Sequence, residues 1–138
     1  MEEKELFAIK KELENLIKKN PDNKDARFSL AALYYNLGNS FLRQKKFDDA
    51  IKNYLSSIKL DKTFVHSYYN LGNAYKERND LEKAIEYFQK TTEIDQKNIP
   101  AKINLAVSHS SIGNSKECIR NFKDLLLKNT YNSNLNDK

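Results

Sequence analysis

Tyr34-Tyr35-Asn36-Leu37-Gly38-Asn39 and Tyr68-Tyr69-Asn70-Leu71-Gly72-Asn73 are the same six residues, set 34 positions apart. A string repeated at a period of this length marks a supersecondary unit copied along the chain. Each unit is too small to bury its own apolar face and is therefore stacked on its neighbour. The chain is accordingly read in columns, with residues 31–64 above 65–98 and 99–131 below.

In that alignment Leu37, Leu71 and Leu105 coincide, followed at once by Gly38, Gly72 and Ala106, and three residues later by Phe41, Tyr75 and His109. Ala50, Ala84 and Cys118 form a later column, and Tyr54, Phe88 and Phe122 another four residues on. Tyr34, Leu37, Gly38 and Phe41 fall at i, i+3, i+4 and i+7, the spacing of one α-helical face, and Ala50, Ile51, Tyr54 and Ile58 do likewise. Short polar breaks at Gln44 to Lys46, Arg78 to Asp80 and Gly113 to Ser115 separate the halves of each unit, with Asn79 or Gly113 available as a left-handed helix-ending residue. Helices joined by so short a loop pack antiparallel. The reading predicts that Gly38 beside Ala50, and Gly72 beside Ala84, let paired backbones approach while the aromatics fill the space alongside.

The order aromatic, Leu-Gly, Tyr, then Ala, aromatic resembles the tetratricopeptide repeat. Residues 31–130 carry the resemblance, and the third unit departs from it at Lys102, His109, Cys118 and Leu125. Membership implies an all-α fold, a right-handed superhelix of antiparallel helix pairs, or α-solenoid. It also implies a non-catalytic role in binding other proteins.

Ahead of the repeats, Leu6, Ile9, Leu13, Leu16 and Ile17 form a stripe, so Glu3 to Lys19 reads as an amphipathic helix. Asn20-Pro21-Asp22-Asn23 ends it and caps the next. That tetrad lies seven residues early for the unit at Ala31. A shift of seven rotates a helix face by only about 20°, so the first repeat helix is expected to be longer, from about Lys24 to Arg43. The expected organisation is an N-terminal helix in 1–23, repeats in 24–64, 65–98 and 99–130, and a polar tail in 131–138. That makes about seven helices.

Composition agrees with this reading and narrows the function. Glycine and proline are scarce, three and two in 138 residues, as helices require. No apolar run approaches the roughly 20 residues of a membrane span, and the first twenty residues are too charged for a secretory signal. The lone Cys118 cannot form an internal disulfide and occupies a core column, so a reduced, buried thiol in a cytoplasmic protein is expected. His66 and His109 are the only histidines, and neither a nucleophile constellation nor a metal-ligand spacing accompanies them. No enzyme, cofactor or metal site is expected.

Binding is where the residues are informative. In stacked helix pairs the first helix of each unit lines the concave wall. The face left over by the core columns carries Tyr35, Asn36, Asn39 and Arg43 in the first unit, and His66, Tyr69, Asn70, Asn73 and Lys76 in the second. Ile103, Asn104 and Val107 belong to the third. Asparagine thus recurs in one column as Asn36, Asn70 and Asn104, and in another as Asn39 and Asn73. An amide offers a donor and an acceptor, which is what the backbone of an extended peptide needs whatever its sequence. Tyr35 and Tyr69 add amphipathic contact area. The bland alternative is that these asparagines only cap or solvate the helices.

The asparagines at Asn39 and Asn73 look like those of the carboxylate clamp by which chaperone adaptors of the family hold acidic C-terminal tails. The clamp's cations are missing, with Tyr35, Ile103 and Val107 in their places, so an adaptor of that kind is the lesser alternative. A formal net charge of +5 favours acidic or neutral partners. Arg43, His66 and Lys76 are a thin basic complement for nucleic acid, and no membrane partner is expected. At the C-terminal end Ile119, Phe122, Leu125, Leu126 and Leu127 have no following amphipathic helix to cover them. The sequence is therefore expected to be a fragment, or a module that associates with a partner or a second copy through this end.

Overall fold

In the computed structural model, residues 3–136 are described, apart from the side chains of Cys118, Asn121 and residues 128–136. The architecture is an α-solenoid of α1 (Glu3–Lys19), α2 (Lys24–Arg43), α3 (Phe47–Leu60), α4 (Val65–Glu77), α5 (Leu81–Ile94) and α6 (Ile99–Asn136), with no strand among the described residues. Each helix packs on the next, and α2 also touches α4, so the first helices of consecutive units are neighbours along one wall.

Local chemistry starts and stops these helices. Asn23 caps α2 by accepting from Ala26 N at 3.1 Å. Asp80 does the same for α5 through Lys83 N at 3.3 Å, and Asn98 for α6 through Ala101 N at 3.1 Å. The turns between paired helices share one closure. Lys45 and Asn79 adopt φ of 60° and 65°, so that Lys46 N reaches Phe41 O at 2.9 Å and Asp80 N reaches Tyr75 O at 2.8 Å. This six-to-one bond satisfies carbonyls that the end of a helix leaves orphaned. Asparagine tolerates the left-handed conformation, as expected of Asn79; lysine at 45 is the less usual occupant.

The core lies between α2, α3, α4 and α5. Ala50, Tyr54, Leu71, Ala84 and Phe88 are completely buried. Around each glycine the nearest atoms belong to a ring, as expected of the aromatics alongside. A Cβ on Gly38 would lie 2.6 Å from the Tyr54 ring, and one on Gly72 would lie 2.6 Å from the Phe88 ring. Both distances are shorter than van der Waals contact permits. Units are keyed together by small polar groups: Ser57 Oγ lies 2.8 Å from Ala31 O and 2.7 Å from Ser67 Oγ, all fully buried. On the leading side, Tyr34 donates to Glu14 Oε1 at 3.2 Å while Lys10 Nζ lies 5.1 Å from the Tyr34 ring, docking α1 on α2.

The third unit departs from the expected hairpin. Gly113 to Ser115 is not a turn; α6 runs through it as one helix of 38 residues, giving six helices where seven were expected, and it continues through Asn136 where a polar tail was expected. Gly113 does not take a positive φ, and His109, expected in a core column, is exposed. Ile119, Phe122 and Leu125 are 58%, 65% and 59% exposed. Their counterparts in the first two units, Ile51 with Tyr54 and Ser57, and Phe88 with Thr91, are buried. Two residues explain the difference. Ala106 puts a Cβ where Gly38 and Gly72 make room for a ring, and Leu125 stands in the column of the fully buried Ser57 and Thr91. Each would overpack a closed hairpin by about 1–3 kcal/mol. The core placement expected for Cys118 falls outside the described side chains.

Candidate functional site

α2, α4 and the first half of α6 present the inner wall, and the two asparagine columns meet there. They are linked along a diagonal. Asn70 Nδ2 donates to Asn39 Oδ1 at 2.7 Å, and Asn104 Nδ2 lies 3.5 Å from Asn73 Oδ1. Each link spans 31 residues, one period less the three that separate the columns.

Both links are anchored by tyrosine. Tyr54 donates to Asn39 Oδ1 at 2.5 Å, so this amide oxygen accepts twice. Asn104 Nδ2 donates to Tyr69 OH at 3.0 Å, while Asn104 Oδ1 accepts from Lys76 Nζ at 3.2 Å. Burial pushes the Tyr54 phenol well above its ordinary value, with the neighbouring Tyr35 adding to the shift, so it stays a proton donor to the array. Asn39 Nδ2, Asn70 Oδ1 and Asn73 Nδ2 have no hydrogen-bond partner among the described residues. Nor has the exposed Asn36. The wall thus holds its amides in fixed positions while leaving part of their capacity unspent.

Aromatic rings flank the array. Tyr35 lies 5.5 Å from Phe64, 5.9 Å from His66 and 6.1 Å from Tyr54, centroid to centroid, and Phe28 extends the group at 5.6 Å from Phe64. Tyr69 packs on Phe88 at 5.9 Å. Asn36, Asn39 and Arg43 turn toward a cleft of 820 Å³ that Glu3 and Leu6 of α1 help to line. The ten residues singled out from the sequence therefore fall into four groups. Asn39 and Asn70 pair across the first junction, and Tyr69, Asn73, Lys76 and Asn104 gather at the second. Tyr35 and His66 join the aromatic group, while Asn36 and Arg43 border the cleft beside α1.

Tyr54, Phe28 and Phe64 join the site without being legible as site residues in the sequence. Tyr54 stands in a core column, and only its hydroxyl, absent from Phe88 in the same column, signals a second role. Among the described residues no cluster of histidine, cysteine and carboxylate side chains could hold a metal ion, and no helix is long and apolar enough to cross a membrane.

A stack of helical hairpins with a polar inner wall defines an α-solenoid of the repeat class. The chain belongs to the tetratricopeptide repeat family, whose model matches residues 29–97, half of the 138 residues. Domains of this family are generally non-catalytic interaction modules. No curated protein matches the sequence. Among solved structures, MamA superposes with a TM-score of 0.60 at 22% identity, covering 88% of this chain and 86% of that one. The tetratricopeptide domain of Arabidopsis OM64 gives 0.62 at 24% identity, covering 73% and 84%. The first such domain of Spaghetti (RPAP3), bound to the HSP90 peptide SRMEEVD, gives 0.60 at 17% identity, covering 82% and 97%. At these identities the likeness is one of fold.

Proposed function

We propose that the chain is a non-catalytic scaffold that holds an extended peptide segment of another protein against its inner wall. The observation that carries this reading is the pre-set amide array. Asn39 with Asn70, and Asn73 with Asn104, are positioned before any ligand arrives, with unspent donors and acceptors beside the Tyr35 and Tyr69 rings. Preorganised groups lose little freedom on binding, and main-chain recognition by amides does not depend on the ligand's side chains. The peptide-bound Spaghetti domain supports the general mode, since it shows a ligand held by the same fold.

The ligand differs from a chaperone tail in one respect. Tyr35, Ile103 and Val107 occupy the positions where the clamp has cations, and Lys76 is already engaged by Asn104 at 3.2 Å. A free terminal carboxylate would therefore lack charge-assisted partners, and internal segments of neutral or mildly acidic character suit the wall better. The lone Cys118 supports a reducing, cytoplasmic setting.

The test is a photoreactive residue placed at Asn36 in the whole chain and irradiated in native extract. A discrete adduct that disappears when Asn70 and Asn104 are both changed to alanine, with helicity retained, supports the reading. Adducts indifferent to that change would overturn it. Tight, salt-steep binding of oligonucleotides in place of protein would do the same.

A further inference from the structure

α1 has the placement of a second helix, packed on the α2 that follows it as α3 is packed on α4. It leads into α2 through residues 20–23, as α3 leads into α4 through 61–64 and α5 into α6 through 95–98. All three connections close with one turn: Asn20 Oδ1 accepts from Asp22 N at 3.2 Å, Asp61 Oδ1 from Thr63 N at 2.9 Å, and Asp95 Oδ1 from Lys97 N at 3.2 Å. Counting back from that shared residue puts Leu13 in the column of Tyr54 and Phe88, and Leu16 in the column of Ser57 and Thr91. Those four counterparts are wholly buried, whereas Leu16 is 43% exposed.

The other end of the array has the converse defect. The first half of α6 is a first helix without a second. Ile99 and Ile103 are 57% and 58% exposed and Ala106 is exposed too, in the columns of Ala31, Tyr35 and Gly38. The distal half of α6 does not return to cover them. It runs on past the start of α5, where Ser115 and Ile119 share a surface hollow with Asp80 and Leu81.

We infer that this slot receives α1 of a second copy of the chain, joining copies head to tail. The residue sizes match. In the closed units a glycine faces an aromatic ring, while the pair brought together between copies is Ala106 with Leu13, a larger residue opposite a smaller one. Ala106 would collide with Phe122 in the unit-one geometry, as the 2.6 Å approach at Gly38 shows, yet it leaves space for leucine. Leu16 and Ile99 meet at the next turn, where Ser57 lies against Ala31. The contact repeats the α2-on-α3 and α4-on-α5 packing, so the solenoid continues from copy to copy. A contact between two different surfaces does not stop at two.

Sedimentation across a range of concentrations, with two blocked variants of the full chain, tests this. The unaltered chain should form species of three or more copies as concentration rises. Leu16→Glu blocks the leading surface and Ile103→Glu the trailing one; each alone should be monomeric. Mixed in equal amounts, each variant retains one intact and complementary surface. The mixture should give a heterodimer and nothing larger, which also shows that both variants are folded. A chain monomeric at every concentration overturns the inference. So does one that stops at a dimer, or a mixture that stays monomeric.

Discussion

Gly38 and the Tyr54 ring are in such close approach that a single carbon added to the glycine would stand 2.6 Å from Cε1 and 2.7 Å from Cδ1. The ring is completely buried and its hydroxyl is held by Asn39, so it cannot swing aside. Gly72 has the same relation to Phe88, a ring with no hydroxyl to restrain it. Overpacking of this kind costs about 1–3 kcal/mol, against a gain of up to about 1 kcal/mol from replacing a helical glycine. Gly38→Ala should therefore destabilise the fold by about 1–2 kcal/mol and Gly72→Ala by less, in urea unfolding. Gly113→Ala should do the reverse. A Cβ at Gly113 meets nothing within 4 Å and its φ is not positive, so alanine should stabilise α6 by about 0.5–1 kcal/mol. A destabilised Gly113→Ala chain would mean that residue 113 serves as a turn in solution.

Asn39 joins the core to the wall. Removing it as Asn39→Ala strands the buried Tyr54 hydroxyl and one amide proton of Asn70, with an expected loss of about 1–3 kcal/mol. Tyr54→Phe removes the donor instead and should cost about 1 kcal/mol. In the double variant nothing is left stranded at Tyr54, so the combined loss should be smaller than the sum by at least about 0.5 kcal/mol. Strict additivity in a double-mutant cycle would show that the pair is not coupled.

Ser108 Oγ is buried and has no hydrogen-bond partner among the described residues. The same column holds Ala74, also fully buried, in the second unit. A buried hydroxyl without a partner is destabilising, and alanine is the better helix former, so Ser108→Ala should raise stability by about 1 kcal/mol. Thermal unfolding monitored at α6 measures it, and a lowered midpoint would imply a partner that forms in solution.

Alkaline pH should weaken the fold through its tyrosines. Burial raises the Tyr54 phenol above its ordinary value of 10.0, and burial raises Tyr34 and Tyr87 in the same direction. The native chain then holds protons that the unfolded chain releases, so this contribution is intact below pH 10 and declines as pH rises above it. Unfolding midpoints measured from pH 8 to 12 should fall beyond pH 10, and Tyr54→Phe should flatten the fall. A midpoint that rose over that interval would contradict the assignment.

Much of this was legible in the chain because it depends on periodicity. The 34-residue spacing of the YYNLGN strings places Gly38 with Gly72, Tyr54 with Phe88 and Asn36 with Asn70 and Asn104 in shared columns. Burial of one face then dictates which columns go inside. α1 and the lengthened α2 were equally accessible, since Asn20 to Asn23 carries both a stop and a cap. Less accessible was the behaviour of the third unit. Gly113 and Asn114 are suitable turn residues, and the reason they are helical lies elsewhere, in the bulk of Ala106 and Leu125.

By itself the sequence determined an all-helical repeat array whose amide-bearing sides share one wall, because helix faces and their repeat period follow from residue spacing alone. Only the tertiary structure decided that Asn39 bonds Asn70 and Asn73 meets Asn104, each one column across. Partner choice depends on the stagger between neighbouring units, which no single column contains. It also decided that α6 stays helical through Gly113. A helix and a turn there differ by about 1 kcal/mol in local preference, so the packing of distant side chains settles the outcome.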